Sequence, residues 1–386
     1  MSALTPFERL ALLAIALATA LAGVADYGGW APLLAFLLAT LALAGLAWIV
    51  SFATEQLGER FGAGVTGLLQ STLGNLPELF VVIFALQKGE LIVAQTAIVG
   101  SVLANALLVL GLVIVVGARR SHDGVMRFSK RLPRDTATLL QVTVFIIVLL
   151  GLSLSSHDPA SHHVKAISIV GAGCLLLVYV SWVVPYLRSD SAPGDGDGIV
   201  AKRSAAREPG SAGAGSAPTD ATGAGTHAAE AHAPRLPLGL VLCMLLAGGG
   251  ASAFVSDWFV NGLKPSIEQL HISQAFAGLV IVAIAGNAVE NAAGIVLAWK
   301  GRSDLAISVV KNSVAQIAAF LFPLLVLISF ALSTTLTFTL APVYIGALVL
   351  TVLALSQITG DGEAAEFEGW ALVALYVILG TLTLYE

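Results

Sequence analysis

Charged residues are scarce in this sequence. Asp, Glu, Lys and Arg together make up 11% of its 386 residues, whereas a soluble domain carries about 25%. Hydrophobic residues make up 57%, and they occur in blocks of about 20 residues, the length that crosses a hydrocarbon core as a helix. The composition therefore excludes a single water-soluble domain and predicts an all-α polytopic membrane protein whose surface contacts the lipid bilayer.

Basic residues and cysteine are also few. The 19 Lys and Arg are outnumbered by 24 Asp and Glu, which gives a formal net charge of −5. No basic stripe stands out, so a nucleic-acid partner is excluded. The two cysteines, Cys174 and Cys243, both lie inside apolar blocks. We therefore expect them to act as small apolar side chains and not as a disulfide framework.

The apolar blocks predict about eleven transmembrane helices. They lie near residues 7–25, 31–53, 64–87, 91–117, 136–155, 165–187, 237–260, 273–299, 303–330, 335–356 and 369–385. The first block, with Arg9 before a short apolar run, also resembles a signal peptide, but its length favours a retained helix. Between the sixth and seventh blocks, a stretch rich in Ala, Gly, Ser and Pro has too little apolar surface to fold and predicts a flexible cytoplasmic linker.

The arrangement of the blocks predicts four regions. They are an extra N-terminal transmembrane helix at 1–28, a first five-helix repeat at 29–188, the linker at 189–236 and a second five-helix repeat at 237–386. With the N-terminus in the cytoplasm, the cytoplasmic segments carry fifteen Lys and Arg and the opposite side three. Because cytoplasmic loops are enriched in these residues, we expect that orientation, in the inner membrane of a bacterial-type cell.

Two segments match each other at an offset of 212 residues. The sequence GNLPE at 74–78 corresponds to GNAVE at 286–290, and Lys88-Gly89 corresponds to Lys300-Gly301. An odd number of helices in each half places the second copy upside down in the membrane. Inverted repeats are typical of secondary transporters, whose binding site lies near the bilayer midplane between the repeats.

The matched segments place two carboxylates at hydrocarbon depth. A charge at that depth costs about 2.5–3.5 kcal/mol, and such residues are usually functional. Glu78 and Glu290 each follow an asparagine by three residues, so that each pair shares one helix face. Glycine and proline weaken the helix there and free backbone carbonyls, and the residues concerned are Gly74, Pro77 and Gly286.

Further oxygen atoms come from polar residues at related positions of the next helices. A serine or asparagine in a membrane helix can instead form a hydrogen bond between helices. Carboxylate, carbonyl, amide and hydroxyl oxygens are the ligands that Ca²⁺ prefers. The predicted ligands of a transported cation are Glu78, Glu290, Asn75, Asn287, Ser101, Asn105, Ser313 and Gln316.

The charge of the paired glutamates predicts an exchange mechanism. Two carboxylates are neutralised either by one Ca²⁺ or by two protons, and both loaded states avoid a bare charge in a medium of low dielectric constant. A protein that changes conformation only when it is loaded would exchange Ca²⁺ for protons. We expect no cofactor besides these transported ions. A homo-oligomer is compatible with the sequence.

The paired segments resemble those of the Ca²⁺/H⁺ exchanger (CAX) family of the calcium/cation antiporter superfamily. The similar stretches are GNLPELFVVIFAL, GSVLANALLVLG, GNAVENAAGIVLAWK, NSVAQIAAFLFPLLVL and DGEAAEFEGWALVALY. The resemblance implies alternating access between two inverted five-helix halves. It also implies that Glu78 and Glu290 bind Ca²⁺ and protons.

Three residues depart from the pattern of that family, and one of them is Gln70, which stands where the family often has asparagine. Asn291 follows Glu290 where the family usually has histidine, whose pKa lies near neutral pH, so the coupling to protons is open to question. Lys311 replaces an uncharged residue. Its long side chain favours snorkelling toward the cytoplasm, although its ammonium could instead occupy part of a cation site.

Three other functions compete with Ca²⁺/H⁺ exchange. One is an antiporter of the same fold that uses Na⁺ as the driving ion or carries another divalent cation. Another is a membrane enzyme with two glutamates as an acid/base pair, which is disfavoured because the sequence lacks a nucleophile–histidine arrangement and a HEXXH motif. A channel or a structural scaffold is the third.

Overall fold

The computed structural model describes residues 4–61, 73–129, 131–190 and 236–386. Within them, twelve longer helices, one short 3₁₀ helix at Pro159–His163 and two short strands form the fold. The helices are α1 Pro6–Tyr27, α2 Pro32–Phe61, α3 Leu76–Gln87, α4 Leu91–Arg120, α5 Arg131–Ser155, α6 Val164–Asp190, α7 Leu238–Leu270, α8 Gln274–Gly286, α9 Ala288–Trp299, α10 Ser303–Ser329, α11 Pro342–Thr359 and α12 Glu366–Leu384; the strands are β1 Val125–Arg127 and β2 Glu363–Ala365.

The helices confirm an integral, multi-pass membrane protein of the all-α class. Nine of those in the described part are long and apolar enough to cross a membrane. The helices α8 and α9 together form a tenth candidate span, bent by 61°, and α3 is a shorter apolar helix. The count of eleven stays a prediction, because residues 62–72 of the third apolar block lie outside the described residues. Almost all of the predicted linker also lies outside them.

The tenth apolar block becomes helical later than its hydropathy predicts. The expected span at 335–356 begins at Pro342, whose fixed φ suits the first turn of a helix. The preceding residues form a turn followed by a segment with bends and no regular secondary structure. At its start, Ser329 Oγ accepts a hydrogen bond from the Leu336 backbone N–H at 2.9 Å. Phe338 is fully buried, and its ring centroid lies 4.8 Å from that of Phe322. Apolar residues of this non-helical segment are therefore part of the buried core.

The first apolar block is a helix that packs on two others. Thr5 and Glu8 form a reciprocal capping box at its start. Along its length α1 lies against α2 and α7. The packing is close at Gly23, where a Cβ atom would lie 2.9 Å from the Trp258 ring. Residues 6–27 thus belong to the packed helical body of the protein.

The ends of the helices lie on two opposite faces of the protein. Each face has its own contacts between the first and the second half of the sequence. On what we call the strand face, β1 and β2 pair antiparallel with Val125 opposite Ala365. Arg119 Nε there lies 2.7 Å from Glu366 Oε1. On the opposite face, called the Lys88 face, Lys88 Nζ lies 2.6 Å from Asp257 Oδ1. All of these contacts join the first half of the sequence to the second.

Several local structures recur at or near the offset of 212 residues. The helices α3 and α9 both end at a lysine followed by a glycine with positive φ, +80° at Gly89 and +75° at Gly301. Glycine adopts this conformation without the steric cost that other residues meet. Turns of π-helix interrupt α4 at Ala104–Val109 and α10 at Ile317–Leu321. The repeated sequence therefore forms repeated local structure.

The two cysteines do not form a disulfide. Cys174 and Cys243 are both free and exposed on the surface of the protein. They lie on α6 and α7, so each is part of an apolar helix, as expected for small apolar side chains.

Candidate cation site between the two halves

Glu78 lies in the first turn of α3, directly after a break in the chain's helical structure. Gly74 and Asn75 form a turn, and α3 begins at Leu76 with Pro77 in its first turn. Proline suits this position because the first turn of a helix does not use its backbone N–H groups. Glu78 is 2% exposed, and neither of its carboxyl oxygens accepts a hydrogen bond from a described residue.

Glu290 has the same position in α9. Asn287, with φ −107°, separates α8 from α9, and Glu290 Oε2 is buried and accepts no hydrogen bond from a described residue. The predicted helix breaks are therefore present in both halves. The carbonyls of Asn75 and Asn287 each accept a 2.9 Å hydrogen bond from the residue four positions later and so begin the next helix. The free carbonyls expected from Gly74, Pro77 and Gly286 stay a prediction.

The two glutamates lie close together although they belong to different halves. The carboxyl group of Glu78 has Ser101, Asn287 and Glu290 as neighbours. The carboxyl group of Glu290 lies beside Ser313. A Cβ atom placed on Gly286 would lie 3.9 Å from Glu78 Cβ, so the break before α9 borders α3. The structure thus assembles one site from both halves.

Amide and hydroxyl groups connect the helices around the glutamates. Asn287 Nδ2 donates to Ser101 Oγ at 3.0 Å, and Asn105 Nδ2 donates to Ser313 Oγ at 3.3 Å. Each asparagine also donates a 3.0 Å hydrogen bond to a backbone carbonyl four residues earlier. Both amide nitrogens are therefore engaged, and the amide oxygen is the end of each side chain that suits a cation. Asn105 lies in a π-helical turn, a feature that often marks functional sites.

The other two predicted ligands are buried near these groups. Asn75 is 4% exposed and directly precedes α3. Gln316 is 8% exposed and lies one turn after Ser313, but no hydrogen bond connects it to the other site residues within the described part of the chain. The side chains that the structure brings together are Glu78, Glu290, Asn287, Ser101, Asn105 and Ser313.

Two asparagines that the predicted ligand set omits also carry unpaired oxygens. Asn291 Oδ1 and Asn312 Oδ1 are buried and accept no hydrogen bond from a described residue. Each directly follows or precedes a site residue, Glu290 or Ser313. A polar side chain next to a predicted ligand in an apolar helix is the sequence signal that would have found Asn312.

The charge of this site comes from two carboxylates. No group of three or more His, Cys, Asp or Glu suited to a metal ion occurs among the described residues, and no ion pair there joins Glu78 or Glu290 to a Lys or Arg. Two negative charges, with neutral amides and hydroxyls beside them, match the charge of one divalent cation or two protons.

Lys311 is buried and does not snorkel to solvent. Its side chain is 0% exposed, and its Nζ donates to Thr359 Oγ1 at 3.0 Å. Thr359 is the last residue of α11, where the partial negative charge of a helix C-terminus favours a cation. The prediction of snorkelling is wrong because the end of α11 covers the ammonium group. No hydrogen bond among the described residues connects it to the glutamates either.

We expect Lys311→Met to retain most of the transport activity. Methionine fills a similar volume and removes a buried cation that contacts α11 rather than the site, so the transport rate should stay within about threefold of the wild-type rate. The rate is measured in vesicles at matched protein levels. Loss of transport by a variant that elutes as a monodisperse peak would instead assign Lys311 to the cation site.

Comparison with known proteins supplies the family. The model of the family described as "Sodium/calcium exchanger protein" matches residues 31–186 and 240–385. The chain belongs to this family. The two matched ranges leave out the predicted linker and the first helix, and each range contains one of the glutamate motifs. This member of the sodium/calcium exchanger family is a secondary transporter and not an enzyme.

Similar proteins place the chain in the Ca²⁺/H⁺ exchanger branch of the superfamily. It is 29% identical to the Ca(2+)/H(+) antiporter ChaA of Bacillus subtilis, over 96% of this chain and 98% of that protein. It is 30% identical to the vacuolar calcium ion transporter of Schizosaccharomyces pombe, over 92% and 80%. The solved structure of native YfkE matches with a TM-score of 0.75 and 26% identity, covering 97% of this chain and 100% of that one.

Proposed function

We propose that this protein exchanges Ca²⁺ for protons across a membrane, with Glu78 and Glu290 binding either ion. The observation that carries the proposal is the pair of neighbouring glutamates, three of whose carboxyl oxygens are buried and accept no hydrogen bond from a described residue. Unpaired buried carboxylates are costly, and a bound cation or proton removes that cost. Relatives along nearly the full length are named Ca(2+)/H(+) antiporters, which supports the same pair of ions.

The coupling follows from charge balance. One Ca²⁺ or two protons make the site neutral, whereas the empty site holds two like charges in a low-dielectric environment. The conformational change is therefore favourable for either loaded form and unfavourable for the empty form. The predicted ligands Ser101, Asn105, Asn287 and Ser313 supply neutral oxygens that replace water around Ca²⁺ without altering that balance.

Alternating access between two inverted halves is the motion that fits this site. The ligands come from α3 and α4 in the first half and from the break between α8 and α9, from α9 and from α10 in the second, and the repeat predicts opposite orientations for these groups. Secondary transporters built in this way expose a site between the repeats to each side in turn. The proposed orientation places the strand face in the cytoplasm, where the Lys and Arg are concentrated.

Calcium uptake into vesicles driven by a pH gradient tests the function. Purified protein in sodium-free vesicles should accumulate Ca²⁺ when the interior is acidic, and accumulation should stop when a protonophore collapses the gradient. Uptake that needs a sodium gradient would instead support a sodium-driven antiporter of the same fold, which Asn291 favours because the usual histidine is absent. Ca²⁺ flux without countertransport of either ion would indicate a channel and contradict the proposal.

A further inference from the structure

Lys88 joins the C-terminal end of α3, the helix that carries Glu78, to α7. Its Nζ donates to Asp257 Oδ1 at 2.6 Å, to the Asp257 backbone carbonyl at 3.1 Å and to Asn261 Oδ1 at 2.5 Å. Asn261 Nδ2 in turn donates to Asp26 Oδ1 of α1 at 3.3 Å. Lys88 caps the C-terminus of α3, and Glu78 lies in the first turn of the same helix. Lys88 thus links this helix to α7, and Asn261 extends the hydrogen-bonded chain to α1.

Other contacts join α7 to α3 and to the residues directly after α3. Lys264 Nζ of α7 lies 3.6 Å from Glu90 Oε1, directly after the end of α3. Deeper in the protein, Ser256 Oγ of α7 donates to the Pro77 backbone carbonyl at 3.4 Å. From Pro77 to Lys88, α3 therefore lies against α7. This contact leaves the Lys88 face closed between the two helices.

The matching lysine of the second half is not engaged in this way. Lys300 follows α9 as Lys88 follows α3, but it is exposed and forms no hydrogen bond or ion pair with a described residue. Within the described residues, α9 also contacts α2 much less than α3 contacts α7. Among the described residues, Lys88 thus forms these bonds on one face and Lys300 forms none on the other.

The sequence of α2 contains a counterpart of the acceptor on α7. Ser256-Asp257-Trp258-Phe259 and Thr54-Glu55-Gln56-Leu57 share the order hydroxyl, carboxylate, variable, apolar. Thr54 and Ser256 are both fully buried. Glu55 thus has the same local pattern as Asp257, at a separation of 202 residues, and it lies on α2, which α9 contacts.

We propose that Lys88 and Lys300 are alternating gate residues, a proposal that rests on the exchange function above. In the present conformation Lys88 holds α3 on α7 and closes the Lys88 face. In the opposite conformation Lys88 separates from Asp257, and Lys300 binds Glu55 and holds α9 on α2. The two lysines then position the two glutamate helices in turn, so that only one face is open at a time.

Thiol labelling from the Lys88 face tests the gate. The reporter is Ser256→Cys in a background carrying Cys174→Ala and Cys243→Ala, labelled with a membrane-impermeant maleimide. Exposed ion pairs contribute roughly 0.2–1 kcal/mol, so Lys88→Gln should speed labelling by a factor of about 1.4 to 5. Lys300→Gln should slow labelling by a similar factor, because it weakens the opposite conformation. The matched control is Lys165→Gln, an exposed lysine with no bond to a described residue, and it should change nothing.

The gate predicts that Lys88→Gln and Lys300→Gln change the labelling rate in opposite directions. A merely structural role of the two lysines would not produce this result. Combining Lys88→Asp with Asp257→Lys should restore the original labelling rate. Equal rates in all variants, or a change of the same sign for Lys88→Gln and Lys300→Gln, would overturn the gate. Uptake by the unmodified protein is measured in the same vesicles, so that a failure of proton-coupled exchange is distinguished from a failure of the gate.

Discussion

Replacing Glu78 by glutamine is expected to abolish proton-driven Ca²⁺ uptake. The variant keeps the shape of the side chain but removes one of the two charges that balance Ca²⁺ in the site. Removing one partner of a buried charge pair costs about 3–5 kcal/mol, so the Ca²⁺ affinity should fall at least about 100-fold. Ca²⁺ uptake driven by an imposed pH gradient, in sodium-free vesicles, measures the loss.

Glu290→Gln should behave in the same way, because the two glutamates occupy equivalent positions and share one site. The matched control is Glu268→Gln, which removes the charge of an exposed glutamate near the end of α7 and should leave uptake unchanged. Normal exchange by either site variant would contradict the assignment of the paired glutamates. Equal elution profiles of the variants and the unmodified protein exclude misfolding as the cause of any loss.

Gly100→Val is expected to disrupt the packing of α4 on α8. A Cβ atom on Gly100 would lie 2.5 Å from both the Cα and the carbonyl oxygen of Leu279. Backbone atoms cannot move aside as the end of a flexible side chain can, so the two helices must separate. Overpacking of this kind costs about 1–3 kcal/mol and sometimes more. Because Ser101 follows Gly100 directly, separation also displaces a predicted cation ligand.

Thermal unfolding in detergent and Ca²⁺ uptake measure this prediction together. The midpoint of unfolding should fall by about 5 °C or more, and uptake should be lost. Gly173→Val is the matched control, since a Cβ atom on Gly173 of α6 would have no described neighbour within 4 Å, and its midpoint should stay unchanged. An unchanged midpoint for Gly100→Val would show that the α4–α8 crossing tolerates a wider spacing.

The membrane fold and the paired motifs could be predicted from the sequence because both depend on local patterns. Blocks of apolar residues indicate spans whatever their neighbours are. The offset of 212 residues identifies Glu78 and Glu290 as equivalent, and it also identifies the Lys-Gly pairs that end α3 and α9. The residues before Pro342 are apolar but not helical, so hydropathy alone placed the start of this helix too early.

Contacts between the helices could not be predicted in the same way. Asn287 meets Ser101 across 186 residues of sequence, and Asn105 meets Ser313 across 208. These contacts depend on how each helix is rotated and where the helices cross. The burial of Lys311 under the end of α11 has the same origin, since a snorkelling path exists only if no neighbouring helix covers it.

The many membrane crossings and the two equivalent glutamates can be predicted from the amino-acid order, because hydropathy and repetition are properties of the linear chain. The hydroxyl and amide groups around those glutamates, and the partners of Lys88 in the described part of the chain, depend on how the helices pack in three dimensions. Two segments of similar sequence can have different partners, because the two halves pack against each other differently on the two faces of the protein.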